Sequence, residues 1–222
     1  MDWISHYQAV LFDFDGLLVD TEPLHYAAYM QMAKDRGFPL DWDFVRFCKE
    51  AHGRDGGIFH ALQREYPHIF EKGLSKEILY ADKKRLYVEM LKTFPLSLME
   101  GVDEVLSALH ERQIKRAVVT NSPKAQIELI QSKLPLLKTI PLWITREDYF
   151  HPKPAPDGYL KALERLEAKS ERVIGFEDTL KGIKALLAAQ VDAVFVNPFD
   201  YGPTKECVQL GARHIKKLSL SF

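Results

Sequence analysis

Residues 9–16 read Ala9-Val10-Leu11-Phe12-Asp13-Phe14-Asp15-Gly16, and the fold follows from how an apolar run can end in two acids. A short apolar stretch such as Ala9–Phe14, bounded by turn residues, reads as a strand buried on both faces of a parallel sheet. Burying a carboxylate without a partner is expensive, so a strand that drives into Asp13 and Asp15 predicts partners delivered by the rest of the fold. Side chains two apart at a strand end point the same way, and Gly16 lets the backbone turn sharply. Two carboxylates held together repel and titrate as a coupled pair, one of which can stay protonated near neutral pH. Such a pair supplies one nucleophile or metal ligand and one acid/base; the alternative is a turn carrying two solvated aspartates.

Further along the chain the same kind of run recurs at Arg116–Thr120 (RAVVT), Leu142–Thr145 (LWIT), Arg172–Phe176 (RVIGF) and Asp192–Val196 (DAVFV). Between these runs lie helical patterns. Val102, Val105, Leu106 and Leu109 fall at i, i+3, i+4, i+7; Tyr159, Leu163 and Leu166 form a second stripe; Leu180, Ile183 and Leu187 form a third. Strand and helix alternate from about residue 97 to the end, which predicts an α/β fold with a doubly wound, Rossmann-like parallel sheet. Residues 21–93 break the alternation. They read as helix after helix, over Pro23–Arg36, Trp42–Lys49, Gly56–Tyr66 and Ser75–Lys92. The expectation is a core domain of residues 1–20 and 94–222 and an inserted all-helical cap of residues 21–93, with hinges near 16–21 and 93–98.

Composition excludes several classes. Of 222 residues, 46% are hydrophobic and 27% charged, an ordinary globular balance. Lys and Arg number 30 against 31 Asp and Glu, so no positive excess exists to hold nucleic acid or an anionic membrane surface. Cys48 and Cys207 stand far apart with no CxxC or His/Cys cluster, which argues against zinc or a disulfide framework and for two thiols in a reducing compartment. The first residues lack the pattern of a signal peptide, and no stretch approaches the roughly 20 apolar residues of a membrane span. A cytoplasmic protein is expected, with neither nucleic-acid nor membrane partner. No heptad or long apolar edge is evident, which fits a monomer or weak dimer.

In an open parallel sheet, ligands bind outside the carboxyl ends of the strands. The residues that end the runs are Asp13 and Asp15; Thr120-Asn121-Ser122; Lys153 in the loop HPKPAP; and Glu177-Asp178. Glu177 and Asp178 suit either helix N-capping or an acid cluster with Asp13 and Asp15. The cluster has too few carboxylates for a calcium cage and suits Mg²⁺, which keeps several waters. Lys153, between Pro152 and Pro154, sits on a stiff loop where an ammonium can compensate the acids and bind a phosphate oxygen. Thr120-Asn121-Ser122 offers a hydroxyl and amide N–H groups at a helix start, either a small anion site or a plain cap. Together these groups suit a phosphoryl group.

The four segments FDFDGLLVDTEPLH, VVTNS, KPAPDGY and GFEDT resemble, in order, the four motifs of the haloacid-dehalogenase superfamily of phosphotransferases. The separations of 107, 33 and 25 residues from Asp13 to Thr120 to Lys153 to Asp178 suit a member with a helical cap after its first motif. The resemblance implies that Asp13 attacks phosphorus, that Asp15 is the acid/base, and that Thr120 and the Asn121 N–H hold the phosphoryl oxygen. It implies that Lys153 bridges nucleophile and phosphate. Mg²⁺ would lie on Asp13, Asp178 and the Asp15 carbonyl, with Glu177 holding a metal-bound water. Pro152 stands where relatives often carry glycine. Within the cap, His25, Arg54 and Lys83 are placed as in the sugar-phosphate members, namely beta-phosphoglucomutases and sugar-phosphate phosphatases. They are candidate substrate contacts; packing, capping and snorkelling are the alternatives.

The expected activity is a Mg²⁺-dependent phosphatase of a small phosphorylated metabolite, a sugar phosphate being the favoured class, through an aspartyl-phosphate. A phosphosugar mutase with the same residues is the alternative. A phospho-accepting signalling module would need only about half this length and no helical insert, and an idle binding protein would not need all four charged residues.

Overall fold

The computed structural model describes residues 3–52, 57–71, 73–198 and 203–221. Six strands form one sheet: β1 (Ala9–Phe12), β2 (Lys115–Val119), β3 (Leu142–Ile144), β4 (Val173–Glu177), β5 (Asp192–Val196) and β6 (Arg213–Ile215). Their order is β3-β2-β1-β4-β5-β6, and every pairing is parallel. The direction of winding reverses at β1, so β1 and β4 flank the switch point where such sheets bind ligands. All four residues of β1 and all five of β4 are buried, as expected for strands covered on both faces.

Ten helices complete the described residues: α1 (Glu22–Asp35), α2 (Phe44–His52), α3 (Gly57–Glu65), α4 (Pro67–Glu71), α5 (Lys76–Leu91), α6 (Val102–Glu111), α7 (Lys124–Lys133), α8 (Asp157–Leu166), α9 (Leu180–Ala188) and α10 (Thr204–Gln209). None of the described helices is long and apolar enough to cross a membrane. The chain divides into two compact units, Met1–Asp20 with Leu96–Phe222, and Thr21–Pro95. The first holds the sheet and α6–α10. Its apolar interior joins Leu11, Val119 and Ile144 to Tyr159 and Leu163 of α8 and Ile183 and Leu186 of α9. In the second unit α1 packs along α5, burying Leu24, Ala28 and Met32 of one and Leu79, Leu86 and Leu91 of the other. Ser75 caps α5 by accepting a hydrogen bond from the Ile78 N–H at 3.3 Å.

The first strand is shorter than its apolar run. It ends at Phe12 because the Phe14 carbonyl is used locally, accepting from the N–H groups of Leu17, Leu18 and Val19 at 3.3, 2.9 and 3.2 Å. Gly16, at φ +80°, makes this turn. The run also falls short of β6 and α4. Each is brief, and β6 (Arg-His-Ile) has no apolar alternation to mark it.

Candidate active site

Register assembles the site. Phe12 pairs with Val118 on one side and Phe176 on the other. The residues just beyond, Asp13, Val119 and Glu177, therefore leave three adjacent strands at one level. The Asp13 N–H donates to the Phe176 carbonyl at 3.0 Å, which holds the aspartate at the end of the ladder. Lys153 enters from the loop before α8. That loop is braced by a turn from the Ala155 N–H to the Pro152 carbonyl at 3.0 Å, and by Asp157, which accepts from the His151 N–H at 3.0 Å.

The Lys153 ammonium is buried and meets three acceptors: an Asp13 carboxylate oxygen, Glu177 Oε1 at 2.6 Å and the Val119 carbonyl at 2.8 Å. Burial alone would depress a lysine; the facing carboxylates of Asp13 and Glu177 outweigh it and hold Lys153 well above its ordinary value. Asp13 shows the opposite balance. Burial first, then the charge of Glu177, pushes its carboxyl up to about 7 against the pull of Lys153.

Glu177 is fully buried, and protein donors engage both its oxygens. Oε1 accepts from Lys153 and from the Tyr159 hydroxyl at 2.7 Å; Oε2 accepts from the Thr179 hydroxyl at 3.0 Å and the Thr179 N–H at 3.3 Å. Space for this carboxylate exists because residue 182 is glycine: a Cβ there would collide with the Glu177 carboxyl carbon. Glu177 thus locks Lys153, α8 and the start of α9 together.

Asp13, Glu177 and Asp178 each present a carboxylate oxygen, all within 4.8 Å of one another. Asp178 reaches the turn after β1 so closely that a Cβ at Gly16 would strike its Oδ2. The donor set is hard oxygen throughout, and one ammonium faces several carboxylates. Both features fit a small divalent cation such as Mg²⁺.

Thr120 is buried at the end of β2; its hydroxyl accepts the Ser122 N–H at 2.9 Å and lies 3.5 Å from Asp15 Oδ2. The Ser122 hydroxyl donates to that same Asp15 oxygen at 2.6 Å. The Tyr149 hydroxyl lies 2.7 Å from both the Thr120 carbonyl and the Asn121 side-chain amide. The structure therefore brings Asp13, Asp15, Thr120, Asn121, Lys153, Glu177 and Asp178 to the carboxyl ends of β1, β2 and β4. His25 and Lys83 belong to the helical unit: Lys83 Nζ lies 2.6 Å from His25 Nδ1 and over the rings of Tyr29 and Tyr87 at 5.1 and 4.9 Å. Arg54 lies outside the described residues.

Tyr149, Tyr159 and Thr179 join the site although the sequence pattern assigns them no role in it. In the sequence Tyr159 stands as one more residue of an apolar stripe. A buried tyrosine needs a partner for its hydroxyl, and that requirement was the available signal.

The sequence profile of the haloacid dehalogenase-like hydrolases matches residues 10–196. A phosphorylated carbohydrates phosphatase of Thermotoga maritima is 31% identical over 205 residues, covering 92% of each chain. A beta-phosphoglucomutase of Bacillus subtilis is 25% identical, over 85% of this chain and 83% of its own. Among solved structures, a haloacid dehalogenase hydrolase of family IA from Entamoeba histolytica superimposes with a TM-score of 0.71 at 29% identity, covering 94% of this chain and 92% of that one. A profile match spanning all four strand-end segments, on a sheet that gathers their side chains at one edge, has one reading: the chain belongs to the haloacid dehalogenase-like hydrolase family.

Proposed function

We propose that the protein is a Mg²⁺-dependent phosphatase of small phosphorylated sugars that works through an aspartyl-phosphate on Asp13. The observation that carries this reading is the buried ion-paired cluster of Asp13, Lys153 and Glu177 beside Asp178. Taking a lysine and acids out of water costs desolvation energy that their mutual pairing offsets, and charges preorganised in this way at a strand end suit an anionic substrate. The 31% identical carbohydrate-phosphate phosphatase supports the substrate class.

In this reading Asp13, Asp178 and the Asp15 carbonyl hold the cation, which when bound offsets the repulsion between carboxylate and phosphate. An Asp13 oxygen attacks phosphorus. The bond from phosphorus to the sugar oxygen breaks, and Asp15 gives that oxygen its proton. Lys153 keeps the nucleophile in place and neutralises charge on the phosphoryl group. Thr120 and the Asn121 N–H donate to its oxygens. In the second half Asp15 takes a proton from water, which attacks the aspartyl-phosphate; the phosphorus–Asp13 bond breaks and phosphate leaves. The beta-phosphoglucomutase relative supports a second reading, in which a sugar hydroxyl replaces that water.

A panel of sugar phosphates assayed with Mg²⁺ separates the two. Phosphate release that stops with EDTA, returns with Mg²⁺ and is lost in folded Asp13→Asn is expected. Isomerised sugar phosphate with little free phosphate would establish the mutase instead, and substantial turnover by Asp13→Asn would overturn both.

A further inference from the structure

We propose that Ser122 is a positioning residue for Asp15, holding the rotation of the carboxyl group that serves as acid/base. The proposal rests on the acid/base reading of Asp15 and concerns a side chain to which that reading gives no task.

Ser122 follows β2 at the entry to α7, and its hydroxyl donates to Asp15 Oδ2 at 2.6 Å across 107 residues of sequence. Gln126, one turn along α7, donates its side-chain N–H to the same Ser122 oxygen at 3.2 Å. A hydroxyl has one proton and two lone pairs. With Gln126 filling one lone pair, the Ser122 proton is directed at Asp15, and the bond is polarised along the chain from Gln126 through Ser122 to Asp15. The Thr120 hydroxyl also faces Oδ2, but at 3.5 Å. Its single proton is the one the mechanism assigns to the phosphoryl oxygen, so it is committed elsewhere when substrate is bound. Ser122 is then the donor that Asp15 keeps throughout the cycle.

The Ser122 bond holds one carboxyl oxygen of Asp15 and with it the rotation of the group. A carboxyl group rotated by a fraction of a turn would be misaligned with the departing sugar oxygen, and proton transfer depends steeply on that geometry. The Ser122 N–H bond to Thr120 Oγ1 at 2.9 Å fixes the backbone from which this hydroxyl is presented.

Leaving-group chemistry tests the proposal. A sugar alcohol is a poor leaving group and needs the proton; p-nitrophenolate leaves without it. With holoenzyme and saturating Mg²⁺, Ser122→Ala is expected to lower the single-turnover rate of sugar release from a hexose phosphate about tenfold, with KM within about twofold and the single-turnover rate of p-nitrophenolate release lowered less than about threefold. Ser122→Thr, which keeps the hydroxyl, is expected to restore most of the loss, and Ser122→Ala is expected to add nothing in an Asp15→Asn background. A raised KM with unchanged kcat would overturn the proposal by making Ser122 a substrate contact. Equal losses of the two single-turnover rates would also overturn it, by making the effect one of general structure. Full sugar-phosphate turnover by Asp15→Asn is a separate result, and would instead refute the acid/base reading on which the proposal stands.

Discussion

The core unit buries two cations, Lys153 at the carboxyl ends of the strands and Arg116 near the amino end of β2, and their partners differ in kind. Arg116 donates to the carbonyls of Leu109, Ile114 and Thr139 at 3.2, 2.9 and 2.5 Å and lies 3.1 Å from His110 Nδ1. Those groups are polar and immobile, and they belong to α6, the turn before β2 and the 3₁₀ segment Pro135–Thr139. Arg116 ties three segments together. Lys153 is met by the carboxylates of Asp13 and Glu177. Carbonyl dipoles satisfy a charge without being able to react, whereas carboxylates bring charge of their own that an anionic substrate or a cation can rearrange. A buried cation among carbonyls is a fastening; under the proposed function, a buried cation among acids at a topological switch point is machinery.

This contrast can be broken most severely at Lys153. Lys153→Met is expected to lower kcat on the order of 10³-fold, measured as phosphate release by protein shown to be folded; near-normal turnover would remove Lys153 from the chemistry. Arg116→Met leaves buried carbonyls without a donor, which costs about 2–4 kcal/mol. Chemical denaturation is expected to show that loss while kcat per folded molecule stays within about twofold. Equal damage to kcat in the two variants would erase the distinction between fastening and machinery.

A smaller effect sharpens the electrical side of the comparison. The Asp13 carboxyl sits at about 7 in the folded protein against an ordinary 3.8. Between those values the folded chain holds a proton that the unfolded chain has lost. Without metal, stability therefore rises as pH falls from about 8 to about 6. A cation needs the ionised carboxylate and must displace that proton. Thermal unfolding with and without Mg²⁺ is expected to show a larger stabilisation at about pH 8 than at about pH 6, and an equal shift at both would contradict the account of Asp13.

The smallest expected change belongs to the helical unit. Lys83 is buried beside His25 and two tyrosine rings, a setting intermediate between those of Lys153 and Arg116. Lys83→Ala is expected to alter the ranking of sugar phosphates in a substrate panel more than the melting temperature. An unchanged ranking with lowered stability would class Lys83 with Arg116.

Much of the fold was legible because its logic is local. Apolar runs such as Val173–Phe176 and stripes such as Val102, Val105, Leu106 and Leu109 carry the alternation of a parallel α/β sheet without reference to distant residues. The candidate site was legible to the extent that polar residues end those runs. Tyr149 and Tyr159 were not, and Ser122, legible as part of the Thr120-Asn121-Ser122 run end, carried no hint that it faces Asp15, since a hydroxyl signals nothing until its partner is known.

Residue order alone implies strands that end in acids and a hydroxyl, with a lysine in the loop beyond the third, because an apolar run has to be buried and its polar end has to emerge where the sheet stops. Long-range packing sets β1 between β2 and β4, engages the Glu177 oxygens with Lys153, Tyr159 and Thr179, and turns Ser122 toward Asp15. Those pairings join residues as far apart as Ala9 and Val173, and strand register and helix packing set them, which no local pattern encodes.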